Sequence, residues 1–169
     1  DAASPVQPES LGIQMNEPQQ QPIFGIEKIY VKDLSLEIPH APDVFLSGEQ
    51  PQVDVQLHNE GSAIGEGLYQ VVLTATVTAK AGEKTMFLVE VAQAGIFQIR
   101  NVPDTDLEPL LATACPNIIF PYARETVSDV INRAGFPPVY LAPVNFEAIY
   151  LQRLQQAQEQ AAPKIEITH

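Results

Sequence analysis

The chain has 169 residues, of which 9 are basic and 21 acidic, giving a formal net charge of -12 at pH 7. That length allows one domain to bury about 70% of the surface its unfolded chain would expose, so neither a metal nor a disulfide is needed for stability. The charge argues against a nucleic-acid or anionic-membrane partner and for a basic protein one, while a single cysteine, Cys115, excludes an internal disulfide framework and suits a reducing cytoplasm.

Residues 1–22 are rich in Pro and Gln and poor in branched apolar side chains, so they cannot offset their ordering entropy and are expected to form a disordered arm. They show neither a charged n-region nor an apolar h-region, so no signal peptide is expected. Nowhere do about 18 apolar residues run together, and no transmembrane helix is expected.

From Phe24 to Glu37 the residues Ile26, Ile29, Tyr30, Val31, Leu34 and Leu36 predict a long first strand, ended by Pro39 and Pro42. In its last part Leu34 and Leu36 share one face and leave Asp33, Ser35 and Glu37 together on the other, which is acidic. After Pro51 a second strand alternates Val53, Val55 and Leu57 against Asp54, Gln56 and His58, up to a turn-rich stretch from Asn59 to Gly67 that reads as a flexible loop.

The third strand alternates over Tyr69 to Lys80 and turns at Ala81, Gly82 and Glu83. The fourth carries Phe87, Val89 and Val91 on one face and Met86, Leu88, Glu90 and Ala92 on the other. A hairpin with two apolar faces implies partners on both sides.

Beyond Phe97, Thr105 and Glu108 read as a capping box before a helical stripe of Leu107, Leu110, Leu111 and Ala114, with Pro116 and Pro121 expected to break or kink the helix before it ends at Gly135. Phe136 to Pro143 is too Pro-rich for a helix and too apolar for a solvated loop, so it must pack against something. Asn145 caps a last helix striped by Phe146, Ile149, Tyr150, Leu154 and Ala157, and 161–169 reads as a flexible tail.

Enzyme chemistry needs a poised acid, base, nucleophile or metal, and the chain offers His40, His58, His169, Cys115 and scattered carboxylates in no recognisable constellation. Gly61, Gly65 and Gly67 lack the Lys-Ser/Thr ending of a phosphate cradle. No catalytic residue, metal ligand or cofactor is expected. Glu90 amid Leu88 and Ala92 instead resembles a docking surface with an apolar centre and charged anchors for a basic partner.

The wording of the chain goes further than its periodicity. Tyr30-Val-Lys-Asp-Leu-Ser-Leu-Glu37 with Pro39-His-Ala-Pro42, Phe87-Leu-Val-Glu-Val91 with Gly95-Ile-Phe97, Cys115-Pro-Asn-Ile-Ile-Phe-Pro-Tyr-Ala-Arg-Glu125 and Leu141-Ala-Pro-Val-Asn-Phe146 stand in order and resemble the SecB family of protein-export chaperones. The resemblance covers nearly everything from Phe24 to Gln156. The chain departs from the pattern at Gly48-Glu-Gln-Pro51, which lacks a tryptophan usual there, and at Arg133-Ala-Gly135-Phe, where the glycine is shifted by one position.

What the resemblance implies is an α+β fold over 23–160, a four-stranded antiparallel sheet packed on two main helices with a Pro-rich crossover loop, assembled as a tetramer that is a dimer of dimers. It implies a cytoplasmic, ATP-independent holdase that keeps unfolded preproteins translocation-competent and delivers them to SecA, with any zinc belonging to SecA's basic tail. Docking of that tail would fall on Asp33, Glu37, Leu88 and Glu90, and clients would lie in a groove of Tyr30, Val53, Val55, Leu57, Val139, Leu141 and Tyr150. Val89, Val91 and Gln93 match positions that influence assembly and are expected at the oligomer interface. An oligomeric adaptor for one folded basic partner is the alternative, and a hydrolase acting through Cys115 a distant third.

Overall fold

The computed structural model describes residues 20–162, so most of the arm and of the tail lie outside the described residues. Four antiparallel strands, β1 (Ile23–Glu37), β2 (Gln52–Gly65), β3 (Leu68–Ala81) and β4 (Lys84–Arg100), form one sheet in the order β1-β4-β3-β2. The helical layer follows as α1 (Asp104–Pro109), a π-helical turn (Leu110–Ala114), α2 (Cys115–Arg133) and, after the Pro-rich loop, α3 (Phe146–Ala161).

The α2 helix lies across β3 and β4 and buries Ile119, Ala123, Val127 and Ile131 against Val71, Leu73, Ala75, Val77, Val89 and Val91, all fully buried. The strand residues share the helix-side face because cross-strand partners point the same way, and the register pairs Ala75 with Val91 and Val77 with Val89. Each Val, Leu or Ile among them contributes about 1.5–3 kcal/mol by leaving water. The central hairpin under α2 is therefore the main source of stability.

The first strand keeps one apolar face only with help from two β-bulges. Its register skips between Ile26 and Lys28 and again between Val31 and Asp33. Phe24, Ile26, Ile29, Val31, Leu34 and Leu36 then all fall opposite helix-side residues of β4, from Ile99 to Val89. In sequence these apolar positions advance by two, three, two, three and two, and each step of three is a bulge.

Gly95 explains part of the Gly95-Ile-Phe97 wording. A side chain there would place its Cβ 2.7 Å from the Phe97 ring and 3.2 Å from Ile29 Cδ1, so the bare backbone makes room for a ring that is itself fully buried. At the end of α2, Gly135 (φ 93°) lets Phe136 N–H donate to the Ile131 carbonyl at 3.2 Å and Gly135 N–H to that of Asn132 at 3.1 Å, the double-bonded Schellman ending. Phe136 is thereby delivered between Phe45 and Phe87, with ring centroids 5.0 and 4.8 Å away.

Four readings of the sequence are corrected. The stretch from Asn59 to Gly65 is strand, with only Glu66 and Gly67 turning; pairing with β3 along its whole length outweighs the poor strand propensity of Asn and Gly. Thr105 makes no capping box, because the helix starts at Asp104 behind Pro103 and has no side-chain cap. Met86 falls at a register shift and is buried in the core rather than set on the outer face.

The helix also runs through both Pro116 and Pro121 instead of breaking. Pro116 stands in the first turn of α2, where its missing N–H costs little, and the preceding π-turn sends Cys115 N–H to the Leu110 carbonyl. That leaves the Leu111 carbonyl without a helical donor. Asn59 supplies one, its Nδ2 donating to Leu111 O at 3.2 Å, while Gly61 on the same strand face leaves space for the Leu111 side chain, whose Cβ would lie 3.4 Å from an added Cβ.

Candidate docking and client-binding faces

The register assembles the predicted acidic site on the sheet face away from α2. Glu37 pairs with Leu88, Ser35 with Glu90 and Asp33 with Ala92, so Asp33, Glu37, Leu88 and Glu90 share two adjacent strands on one face. Asp33, Glu37 and Glu90 are exposed and Leu88 is half-buried. The Thr76 hydroxyl donates to Glu90 Oε2 at 3.3 Å from the neighbouring strand. An apolar strip of Leu88 and Ala92 thus lies among three carboxylates that have no cationic partner among the described residues.

The predicted groove residues divide. Val53, Val55 and Leu57 lie on the helix-side face of edge strand β2, the first two 43% and 42% exposed because α2 does not reach that far. Leu57 and Tyr150 line one pocket with Asn59, Leu73, Phe146, Ile149 and Arg153. In the loop, Leu141 is buried with its carbonyl accepting from Arg124 Nε at 2.8 Å, and Val139 is packed against the core. Tyr30 stands apart: it pairs with Ala94 on the opposite face and donates its hydroxyl to Gln70 Oε1.

Val89, Val91 and Gln93, expected at an oligomer interface, lie inside the protomer instead. Their exposures are 0%, 0% and 3%, since α2 of the same chain covers that face. They do point away from Leu88 and Glu90, as the alternation requires, but they offer no surface to a second subunit.

Several surfaces were not singled out by sequence. Ile149 (43% exposed) and Leu154 (38%) on α3 are exposed apolar side chains, and Phe24, Ile26, Val31, Leu34 and Leu36 form a second apolar row on β1, 39–51% exposed, on the other side of α2. Regular strand alternation misses that row because of its two bulges.

The thiol of Cys115 is buried, and loss of hydration pushes it up to about 12. At neutral pH it is a protonated packing group, unsuited to nucleophilic attack. His40 and His58 are both exposed, His58 on the outer face opposite Thr74.

Known proteins show clear similarity to the chain. The family model "Preprotein translocase subunit SecB" matches residues 17–157. The chain belongs to the SecB family. The protein-export protein SecB of Dechloromonas aromatica is 64% identical over 151 residues, covering 89% of this chain and 97% of the relative. That of Chromobacterium violaceum is 66% identical over 85% of this chain and 97% of the relative, and that of Nitrosospira multiformis 59% identical over 92% and 100%.

Among solved structures, a SecB-like chaperone of Mycobacterium tuberculosis, in complex with a ChAD peptide from an antitoxin, superposes with a TM-score of 0.60, covering 72% of this chain and 90% of that one. At 17% identity this likeness speaks for the fold alone. The four-stranded sheet with its helical layer is the SecB-family architecture expected from the sequence.

Proposed function

We propose that this protein is an ATP-independent holdase of protein export, which binds unfolded preproteins in the cytoplasm and hands them to SecA. Membership of the SecB family supports an export chaperone, and relatives above 60% identity carry the name protein-export protein SecB. The observation that carries the reading further is the separation of two surfaces: carboxylates around Leu88 on one sheet face, and exposed apolar side chains on the other.

The β2 edge, the Pro-rich loop and α3 form the client groove. Unfolded chains are held there by apolar contact, with neither nucleotide nor catalysis required. Val53, Val55, Leu57, Val139 and Tyr150 serve this groove from one protomer, while the buried Leu141 anchors the loop behind it. Tyr30, on the opposite face and the opposite edge strand, joins it only if a neighbouring subunit brings that face alongside.

The working form is a homotetramer, a dimer of dimers. The apolar row on β1 supports this, because contiguous exposed apolar surface of that kind is uncommon on a lone soluble domain. Asp33, Glu37, Leu88 and Glu90 form the dock for the zinc-bearing basic tail of SecA, with any zinc held by that partner. An adaptor for one folded partner would use the acidic face but would leave the apolar groove without a role.

Suppression of aggregation of several unrelated unfolded proteins without nucleotide, measured alongside native mass, tests the reading. A tetramer that protects all of them is expected. Protection of one protein only would favour the adaptor.

A further inference from the structure

Glu90 has two possible neighbours across the sheet, Ser35 on β1 and Thr76 on β3, each directly opposite it in register. Both carry hydroxyls. Among the described residues the one that donates to Glu90 is Thr76, at 3.3 Å to Oε2. Asp33 and Glu37 lie on β1 either side of Ser35, so repulsion between like charges also disfavours the β1 side. Adjacent strands are about 4.8 Å apart, so the choice of neighbour changes the spacing between the anionic anchors by an appreciable part of that distance.

We propose that Thr76 is a positioning residue for the docking face: its hydroxyl holds the Glu90 carboxylate toward β3, away from Asp33 and Glu37, and keeps the Leu88–Ala92 strip open between two separated negative anchors. The face then fits a basic segment in which two cationic side chains flank an apolar one, and it does so with less side-chain freedom to lose on binding. This inference rests on the docking reading above. Thr76 itself need not touch the partner.

Calorimetric titration with the zinc-loaded basic tail peptide of SecA tests it. Thr76→Val keeps the β-branched shape and the strand propensity and removes only the hydroxyl. Affinity should fall roughly three- to fivefold, as for one exposed charge-assisted hydrogen bond, with the thermal midpoint unchanged. Thr76→Ser should restore binding. In a Glu90→Gln background, Thr76→Val should cause no further loss, because the hydroxyl acts through that carboxylate.

Wild-type affinity in Thr76→Val, or an equal loss with and without the Glu90 carboxylate, would overturn the inference while leaving the dock standing. If Glu90→Gln and Asp33→Asn both bind the peptide as well as wild type, the dock itself is refuted, and the role of Thr76 with it.

Discussion

On α2 the Thr126 hydroxyl lies 3.1 Å from Gln93 Oε1 of β4 and 3.0 Å from the Tyr122 carbonyl. One hydroxyl proton serves one acceptor at a time, so Thr126 is shared as a donor between Gln93 Oε1 and the Tyr122 carbonyl. Gln93 is the one fully buried polar side chain on the described sheet, so this link ties β4 to α2. Thr126→Val should cost about 1–3 kcal/mol in urea unfolding by stranding the amide, and Thr126→Ser much less. Any loss of native mass should track that loss of stability; a change in mass at full stability would give Gln93 a direct part in assembly.

Val91→Asp should behave as a core lesion. The side chain is fully buried between sheet and α2 with no cationic partner near it, so a carboxylate there costs more than about 4 kcal/mol. Circular dichroism and native mass should show unfolded or aggregated protein. A folded protomer of reduced oligomeric state would contradict the placement of Val91.

The sheet and its acidic face were legible because Asp33, Ser35 and Glu37 alternate with Leu34 and Leu36 beyond the second bulge, and because β3 alternates without interruption. The β1 apolar row was not, since each bulge shifts the period by one. Asn59 and Gly61 read as loop because their value is tertiary: they receive a carbonyl and a side chain from a π-turn some fifty residues on, where Pro116 has no N–H to offer the Leu111 carbonyl. Val89, Val91 and Gln93 were correctly set on the face opposite Leu88, but alternation does not say whether a chain's own helix or another subunit covers a face.

Asn59→Leu should remove the donor to the Leu111 carbonyl and destabilise the protomer by about 1–2 kcal/mol. The effect is expected to be smaller than one full stranded pair, because Asn59 Oδ1 is itself buried without a partner and its desolvation cost disappears with the substitution. Urea unfolding measures the difference; an unchanged midpoint would show that the bond contributes nothing.

For Cys115 the folded thiol ionises near 12 against 9.0 ordinarily, so the unfolded chain loses its proton first as pH rises. Stability should therefore be insensitive to this group below about pH 9 and fall between about 9 and 12, by up to roughly 1.4 kcal/mol per unit. Cys115→Ala should abolish that component while preserving client holding. At pH 8 a thiol reagent should label Cys115 only on unfolding; rapid labelling of the native protein would contradict its burial.

The division of labour between the two sheet faces is tested most directly by one calorimetric comparison. Wild type and the double variant Asp33→Lys with Glu90→Lys are titrated with the zinc-loaded SecA tail peptide and with an unfolded client, at two ionic strengths. Charge reversal should abolish binding of the basic peptide and leave client affinity within about twofold, since the client is held by apolar contact on the other face, and only peptide binding by wild type should weaken strongly with salt. Equal loss of both ligands in the variant would show that one surface serves both and would contradict the account.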